Sequence, residues 1–209
     1  MLERLRPHFP VRLPAAYPGM RIGLYGGSFN PPHAGHVLVS KTALTRLDLD
    51  CIWWIVTPGN PLKDTGELSS LEQRIGLCRD IITDPRMHVT GFEEQLGSPY
   101  TLHTLRYVTR RYPAVSFIWI MGGDNLRTFH LWQGWQDIAA LMPIAVIDRP
   151  TSTLTAPASR MAYVFRKNRL PSSEAAALVN HKTPCWVYLY GPRSPLSSSR
   201  IRHSAIKKI

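Results

Sequence analysis

The sequence predicts an α/β fold, a Rossmann-like, doubly wound and mainly parallel sheet with helices on both faces. Two observations predict it. Short runs rich in Val, Ile and aromatic residues recur and alternate with stretches of helical character, the β-α repeat that right-handed crossovers wind into such a sheet. Several of these runs are nearly continuously apolar, as strands covered on both faces must be.

Taken in order, the strands are expected at RIGLYGG (21–27), CIWWIVTP (51–58), MHVTGF (87–92), SFIWIMGG (116–123), PIAVIDRP (143–150) and CWVYLYGP (185–192). Helical patterns fall between them at 34–47, 69–82, 100–111 and 135–142. For the second helix, Ser69 or Ser70 suits the N-cap, Glu72 and Gln73 lie near the first turn, and Pro85 marks the chain leaving it. Residues 151–184 are less regular and are expected to form a surface excursion, with a short helix around SSEAAALV. The last segment, SSSRIRHSAIKKI, opens with serines that suit an N-cap.

At 209 residues the chain can bury one substantial core, so residues 20–209 are expected to be a single domain and residues 1–19, basic and Pro-rich, a flexible N-terminal extension. No apolar run approaches the roughly 18 residues a bilayer span needs. The N-terminus lacks the unbroken apolar stretch of a secretory signal. A cytoplasmic protein without membrane contact is therefore expected. Cys51, Cys78 and Cys185 are odd in number and widely spaced, which fits buried free thiols and neither a disulfide framework nor a zinc cluster.

A net charge of +11 attracts anions of every kind. Nucleic acid, small phosphorylated substrates and a merely solvated basic surface all fit it. The Lys and Arg residues are spread along the chain without the basic and aromatic interleaving of an RNA platform, so nucleic acid is not the expected partner.

The strongest chemical signal is GGSFNPPHAGH, residues 26–36, directly after the first strand and before the first helix. Gly26 and Gly27 permit a sharp turn and a close approach of backbone to ligand, and Pro31 and Pro32 stiffen the approach to the helix. His33, Gly35 and His36 fall around the first helical turn, where amides and the macrodipole favour negative charge. Three residues apart, the two imidazoles share a face, and Gly35 offers no side chain to block a phosphate. A zinc site would need further ligands, and no other histidine has convincing spacing.

GGSFNPPHAGH resembles the H-x-G-H signature of the nucleotidylyltransferase superfamily. LSSSRIR, residues 196–202, resembles that superfamily's C-terminal phosphate-binding motif. Serine hydroxyls, first-turn amides and the forked guanidinium of Arg202 are each suited to phosphate oxygens. The resemblance implies that the two helix starts meet as a clamp on one triphosphate.

From residue 20 onward the chain is similar to the nicotinate-nucleotide adenylyltransferase family. IMGGDNLRTFHLW (120–132), SPYTLHTL (98–105) and TPGNPLK (57–63) carry that similarity. It implies ATP and nicotinate mononucleotide as substrates and magnesium as cofactor, with no dedicated protein metal ligands. On the ATP side it implies Gly26, Gly27, Ser28, Phe29, Gly35, Asp124, Ser198 and Ser199 as binding residues, with His33, His36 and Arg202 carrying the chemistry. For the acceptor, Asn60 and Lys63 would hold the phosphate, Tyr100 and Thr101 the nicotinate carboxylate, and Trp132 would lie near the pyridine ring. Asn30 stands where many relatives carry Asp, and Ser198 and Ser199 replace a commoner small-Thr pair. Another superfamily transferase, taking nicotinamide mononucleotide, phosphopantetheine or a CTP-dependent acceptor, would share the clamp. A basic RNA-binding module is the reading from a different class.

Overall fold

The computed structural model describes residues 12–59, 68–149, 158–192, 194 and 196–206, the last four by backbone alone. In chain order the elements are β1 Arg21–Gly27, α1 Ala34–Arg46, β2 Cys51–Val56, α2 Leu71–Ile81, β3 Met87–Thr90, α3 Thr101–Arg111, β4 Ser116–Gly122, α4 Gly123–Leu126, α5 Trp135–Leu141, β5 Ile144–Ile147, α6 Arg160–Val164, β6 Arg169–Leu170, β7 Trp186–Leu189 and α7 Ser198–Ile206. Short 3-10 stretches at Phe92–Leu96 and Ser172–Asn180 flank the sheet.

The seven strands run in the order β3-β2-β1-β4-β5-β7-β6, and every pairing between them is parallel. The continuous apolar runs are explained by burial on both faces. On β2, Cys51, Trp53 and Ile55 enter one core with Leu105, Val108 and Ile138. Ile52, Trp54 and Val56, alternating with them, enter a second core with Val39, Ala43 and Cys78. Side chains two apart share a face of a strand, so α3, α5 and α6 cover one side and α1 and α2 the other.

Sequence and structure differ at the edges. Three strands stop two or three residues early, because the ends of 51–58, 87–92 and 185–192 leave the ladder at Val56, Thr90 and Leu189. Ser70, not Ser69, caps α2 by accepting from the Gln73 amide at 3.2 Å. Residues 158–184 do more than cover the surface. They add β6 to the sheet edge and bury Leu170, Ala175 and Leu178 in the second core. A two-residue strand is too short to show periodicity, so only the pairing reveals it.

Residues 12–19 lie against the sheet, where the sequence implied a flexible arm. Leu13 and Ala16 pack on the first core, Thr90 Oγ1 donates to the Arg12 carbonyl at 3.0 Å, and the Gly19 amide donates to Ala114 O at 2.8 Å. No helix among the described residues is long and apolar enough to cross a membrane.

The order places β1 at the point where the winding reverses, with β2 and β3 to one side and β4 and β5 to the other. Ligands of such sheets bind beyond the carboxyl ends of the strands at that switch point.

Candidate active site

The segment after β1 is held in an unusual shape. Phe29 has φ 46, a left-handed backbone that costs a non-glycine residue about 1–2 kcal/mol. Its ring stacks on Trp54 with centroids 4.8 Å apart and planes at 10°, and aromatic pairing of that kind returns about 0.5–1.5 kcal/mol. Trp54 is fixed in turn by its Nε1–H, which donates to Ser40 Oγ at 2.7 Å. Core packing thus sets the path of the loop.

That path delivers His33 to the N-cap of α1 and His36 to its first turn. His33 Nδ1 accepts from the Gly35 amide at 3.1 Å, and His36 Nδ1 accepts from the His33 amide at 3.1 Å. The two rings form a reciprocal capping box. An imidazole that accepts on Nδ1 carries its proton on Nε2 when neutral, so both rings are set to donate from Nε2. His33 is buried, and burial first, then the charge of Arg149, lowers its pKa from 6.5 to about 4. It is neutral near pH 7. Its Nε2 lies 3.4 Å from Nη2 of Arg149, so two donors face each other, an arrangement that an anionic oxygen between them would satisfy.

The expected reason for Gly35 is revised by the geometry. Its amide is taken by His33, and a Cβ there would sit 2.8 and 2.9 Å from the His33 ring. Gly35 makes room for the imidazole more directly than for a phosphate. Gly26 has a comparable constraint, since its Cβ would meet Cη2 of Trp119 at 2.5 Å.

The far end of the chain closes on this loop. Ser198 Oγ donates to Pro31 O at 2.9 Å, and Arg202 Nη1 donates to the Asn30 carbonyl. Together the loop and the start of α7 wall a cavity of about 490 Å³, lined by Gly26 to Asn30, His33, His36, Asp124, Arg149, Ser198, Ser199 and Arg202 among others. Both halves of the expected clamp therefore border one space. Asp124 reaches it from α4 and pairs with Arg149 at 3.2 Å.

A second cavity, of about 340 Å³, adjoins the first and shares Gly26, Gly27, Ser28 and Asn125 with it. Tyr100, Thr101 and Trp132, the expected acceptor residues, line it. Helix α3 opens at Thr101 without a side-chain cap. Trp132 is half-buried and packs edge-on against Phe129 at 5.3 Å and Trp119 at 6.2 Å. Asn60 and Lys63 lie outside the described residues.

Sequence reasoning missed Arg149, Asn125, Thr57 and Glu93, which all line these cavities. Arg149 was findable, because a basic residue just past the fifth strand falls on the carboxyl edge where such folds bind ligands. Glu93 was not, since nothing in FEEQL separates a buried carboxyl from an exposed one. It is buried, accepts from Thr104 Oγ1 at 2.6 Å, and burial pushes its pKa up against the lowering effect of its hydrogen bonds to Thr104 and Thr57.

Among the described residues no group of three His, Cys, Asp or Glu side chains converges as a metal cluster. Asp124 is the carboxylate of the larger cavity. A hard cation held there would take its ligands chiefly from phosphate oxygens and water.

The cytidylyltransferase-like family model matches residues 24–204. A protein of Methylorubrum extorquens described as a probable nicotinate-nucleotide adenylyltransferase is 58% identical over 183 residues, 88% of this chain and 99% of that protein. One from Agrobacterium fabrum with the same description is 55% identical over 185 residues, again 88% of this chain and 99% of the relative. In structure the chain is similar to Plasmodium falciparum nicotinic acid mononucleotide adenylyltransferase complexed with NaAD, with TM-score 0.65 and 19% identity, covering 90% of this chain and 89% of that one. With a family match across most of its length and relatives above half identity over nearly their whole length, the chain belongs to the cytidylyltransferase-like family and, within it, to the nicotinate-nucleotide adenylyltransferases.

Proposed function

We propose that the protein transfers the AMP part of ATP to nicotinate mononucleotide, giving nicotinate adenine dinucleotide and pyrophosphate. The observation that carries this reading is the pair of adjoining cavities with a common wall at Gly26, Gly27 and Ser28. One is basic and closed by the two helix starts. The other is lined by Trp132, Trp119 and Tyr100. A donor triphosphate and a flat aromatic nucleotide would meet at the shared wall, and the relatives' descriptions name the same pair of chemistries.

The acceptor's phosphate monoester has a second pKa near 6, so it is largely ionised at neutral pH and needs no general base. Catalysis then consists of aligning an acceptor oxygen with the α-phosphorus and stabilising the charge that moves onto pyrophosphate. In this reading His36 donates from Nε2 to the α-phosphate, and His33 and Arg149 share a phosphate oxygen. Arg202, Ser198 and Ser199 hold the β- and γ-phosphates, where hydrogen bonds to charged oxygens are strongest. Gly26, Gly27, Ser28 and Phe29 present the loop backbone, and Asp124 contacts a ribose. On the acceptor side Trp132 stacks on the pyridine ring, the first turn of α3 at Tyr100 and Thr101 takes the carboxylate, and Asn60 and Lys63 take the phosphate. Magnesium, when bound, supplies charge neutralisation on the phosphate oxygens.

The test mixes the protein with ATP, magnesium and each of several mononucleotides, and follows pyrophosphate and dinucleotide. Nicotinate mononucleotide is expected to give by far the fastest turnover. Equal or faster turnover with nicotinamide mononucleotide or phosphopantetheine would overturn the acceptor. His36→Ala is expected to lower turnover by about 10² to 10³-fold with the fold intact, and normal turnover in that variant would remove the histidine from the mechanism.

A further inference from the structure

Arg74 belongs to none of the motifs above. It closes the first turn of α2 and is 1% exposed. Among the described residues it makes no ion pair. Its donors go to backbone carbonyls instead. Nε donates to Ser69 O at 2.8 Å, and Nη1 donates both to Ser28 O at 2.8 Å and to Thr57 O at 2.7 Å. Nη2 lies 3.5 Å from Pro58 O. Burial lowers the pKa of the guanidinium from its ordinary value.

Burying a guanidinium is costly, and removing it would leave the carbonyls of Ser28, Thr57 and Ser69 without this donor. What the guanidinium adds is a bridge. Ser28 stands in the loop after β1 and lines both cavities, and Thr57 stands in the loop after β2 and lines the smaller one. A single nitrogen spans the two loops, while Nε ties both to the start of α2 through Ser69.

We propose that Arg74 is a positioning residue for the reaction. It locks the loop after β1 against the loop after β2, so that the two cavities keep a fixed separation and the acceptor oxygen stays in line with the α-phosphorus. Arg74 lines neither cavity and acts through Ser28 and Thr57. The consequence for rate rests on the proposed function, whereas the bridge itself does not. A misplacement of about 1 Å caused by a change away from the reacting atoms can cost about 10²-fold, so holding two loops in register is a sufficient reason to keep a buried charge.

The test uses the full chain with Arg74→Lys and Arg74→Met. Lysine keeps the charge but is a point donor that cannot present a planar fork to separate carbonyls. Amide hydrogen exchange is expected to quicken at residues 26–30 and at 57 and 59 in both variants, with the interiors of β1 and β4 unchanged. Turnover with ATP and nicotinate mononucleotide is expected to fall about 10²-fold in kcat, while the dissociation constant of each substrate alone moves less than about threefold. Ethylguanidinium added to Arg74→Ala is expected to restore part of the lost kcat. Exchange that rises throughout the sheet, exchange that rises in α2 alone, or wild-type kcat in Arg74→Lys would each overturn the proposal. Arg74→Lys, the milder change, carries the test if Arg74→Met does not fold. Should the wild-type protein show no turnover, the proposed function fails, and the exchange measurement still decides the bridge.

Discussion

Ser198 donates its hydroxyl to the carbonyl oxygen of Pro31 at 2.9 Å, joining residues 167 apart in the chain. Beside it, Arg202 donates to the carbonyl of Asn30. These two contacts place the start of α7 on the loop after β1, and the larger cavity is the space they enclose. Losing either should therefore affect the triphosphate side before the acceptor side. Arg202→Ala is expected to lower kcat/KM for ATP by roughly 10²-fold, and Ser198→Ala by roughly tenfold, in keeping with hydrogen bonds to charged and neutral partners. Steady-state kinetics with each substrate varied in turn checks this. A larger rise in KM for the mononucleotide than for ATP would contradict it.

His33 links stability to pH. Its folded pKa of about 4 lies below the unfolded value of 6.5, so between those values the unfolded chain binds more protons than the folded one. Stability is thus complete above pH 6.5 and is lost as pH falls toward 4, by up to about 3 kcal/mol at roughly 1.4 kcal/mol per pKa unit. His33→Asn keeps an N-cap acceptor and cannot charge. Urea unfolding from pH 7 to 4 should show a shallower loss of stability in the variant, and parallel losses would rule out His33 as the source.

Glu93 runs in the opposite sense. Burial raises its pKa, so the folded chain holds the proton more firmly than the unfolded one. Its contribution is fully present below the unfolded value and declines as pH rises through the folded one. Glu93→Gln keeps an acceptor for Thr104 and never ionises. Thermal melts are expected to find this variant at least as stable as the wild type at pH 8, and a marked loss there would show that the ionised carboxylate is needed.

Trp132 separates binding of one substrate from the other. It lines the smaller cavity and not the larger one. Trp132→Ala is expected to raise KM for nicotinate mononucleotide by about tenfold, a stacking interaction of about 1–1.5 kcal/mol. KM for ATP should be unchanged. Trp132→Phe should recover most of the loss, which a purely structural role in the contacts with Phe129 and Trp119 would not require.

Much of the site was legible because its residues are local in sequence. His33, Gly35 and His36 follow a strand and open a helix, and the capping box they form needs no distant partner. Ser198, Ser199 and Arg202 suit a helix start, and their resemblance to the superfamily's C-terminal motif is what pointed them to phosphate. The acceptor residues Tyr100, Thr101 and Trp132 came from family resemblance, and their common cavity appears only on folding. Glu93 and Arg74 were not found because their roles come from partners 11 and 46 residues away, whereas Arg149 could have been found from its place just past β5.

By itself the sequence determined the β-α alternation, the parallel sheet and the two phosphate-suited helix starts, since periodicity and capping chemistry act over a few residues. Tertiary structure decided the rest. Only packing brings α7 onto the loop after β1, seats residues 12–19 on the sheet, adds β6 to its edge and buries a guanidinium between two loops. Those outcomes depend on which surfaces meet in space, and the energy that selects them belongs to contacts no short window of residues contains.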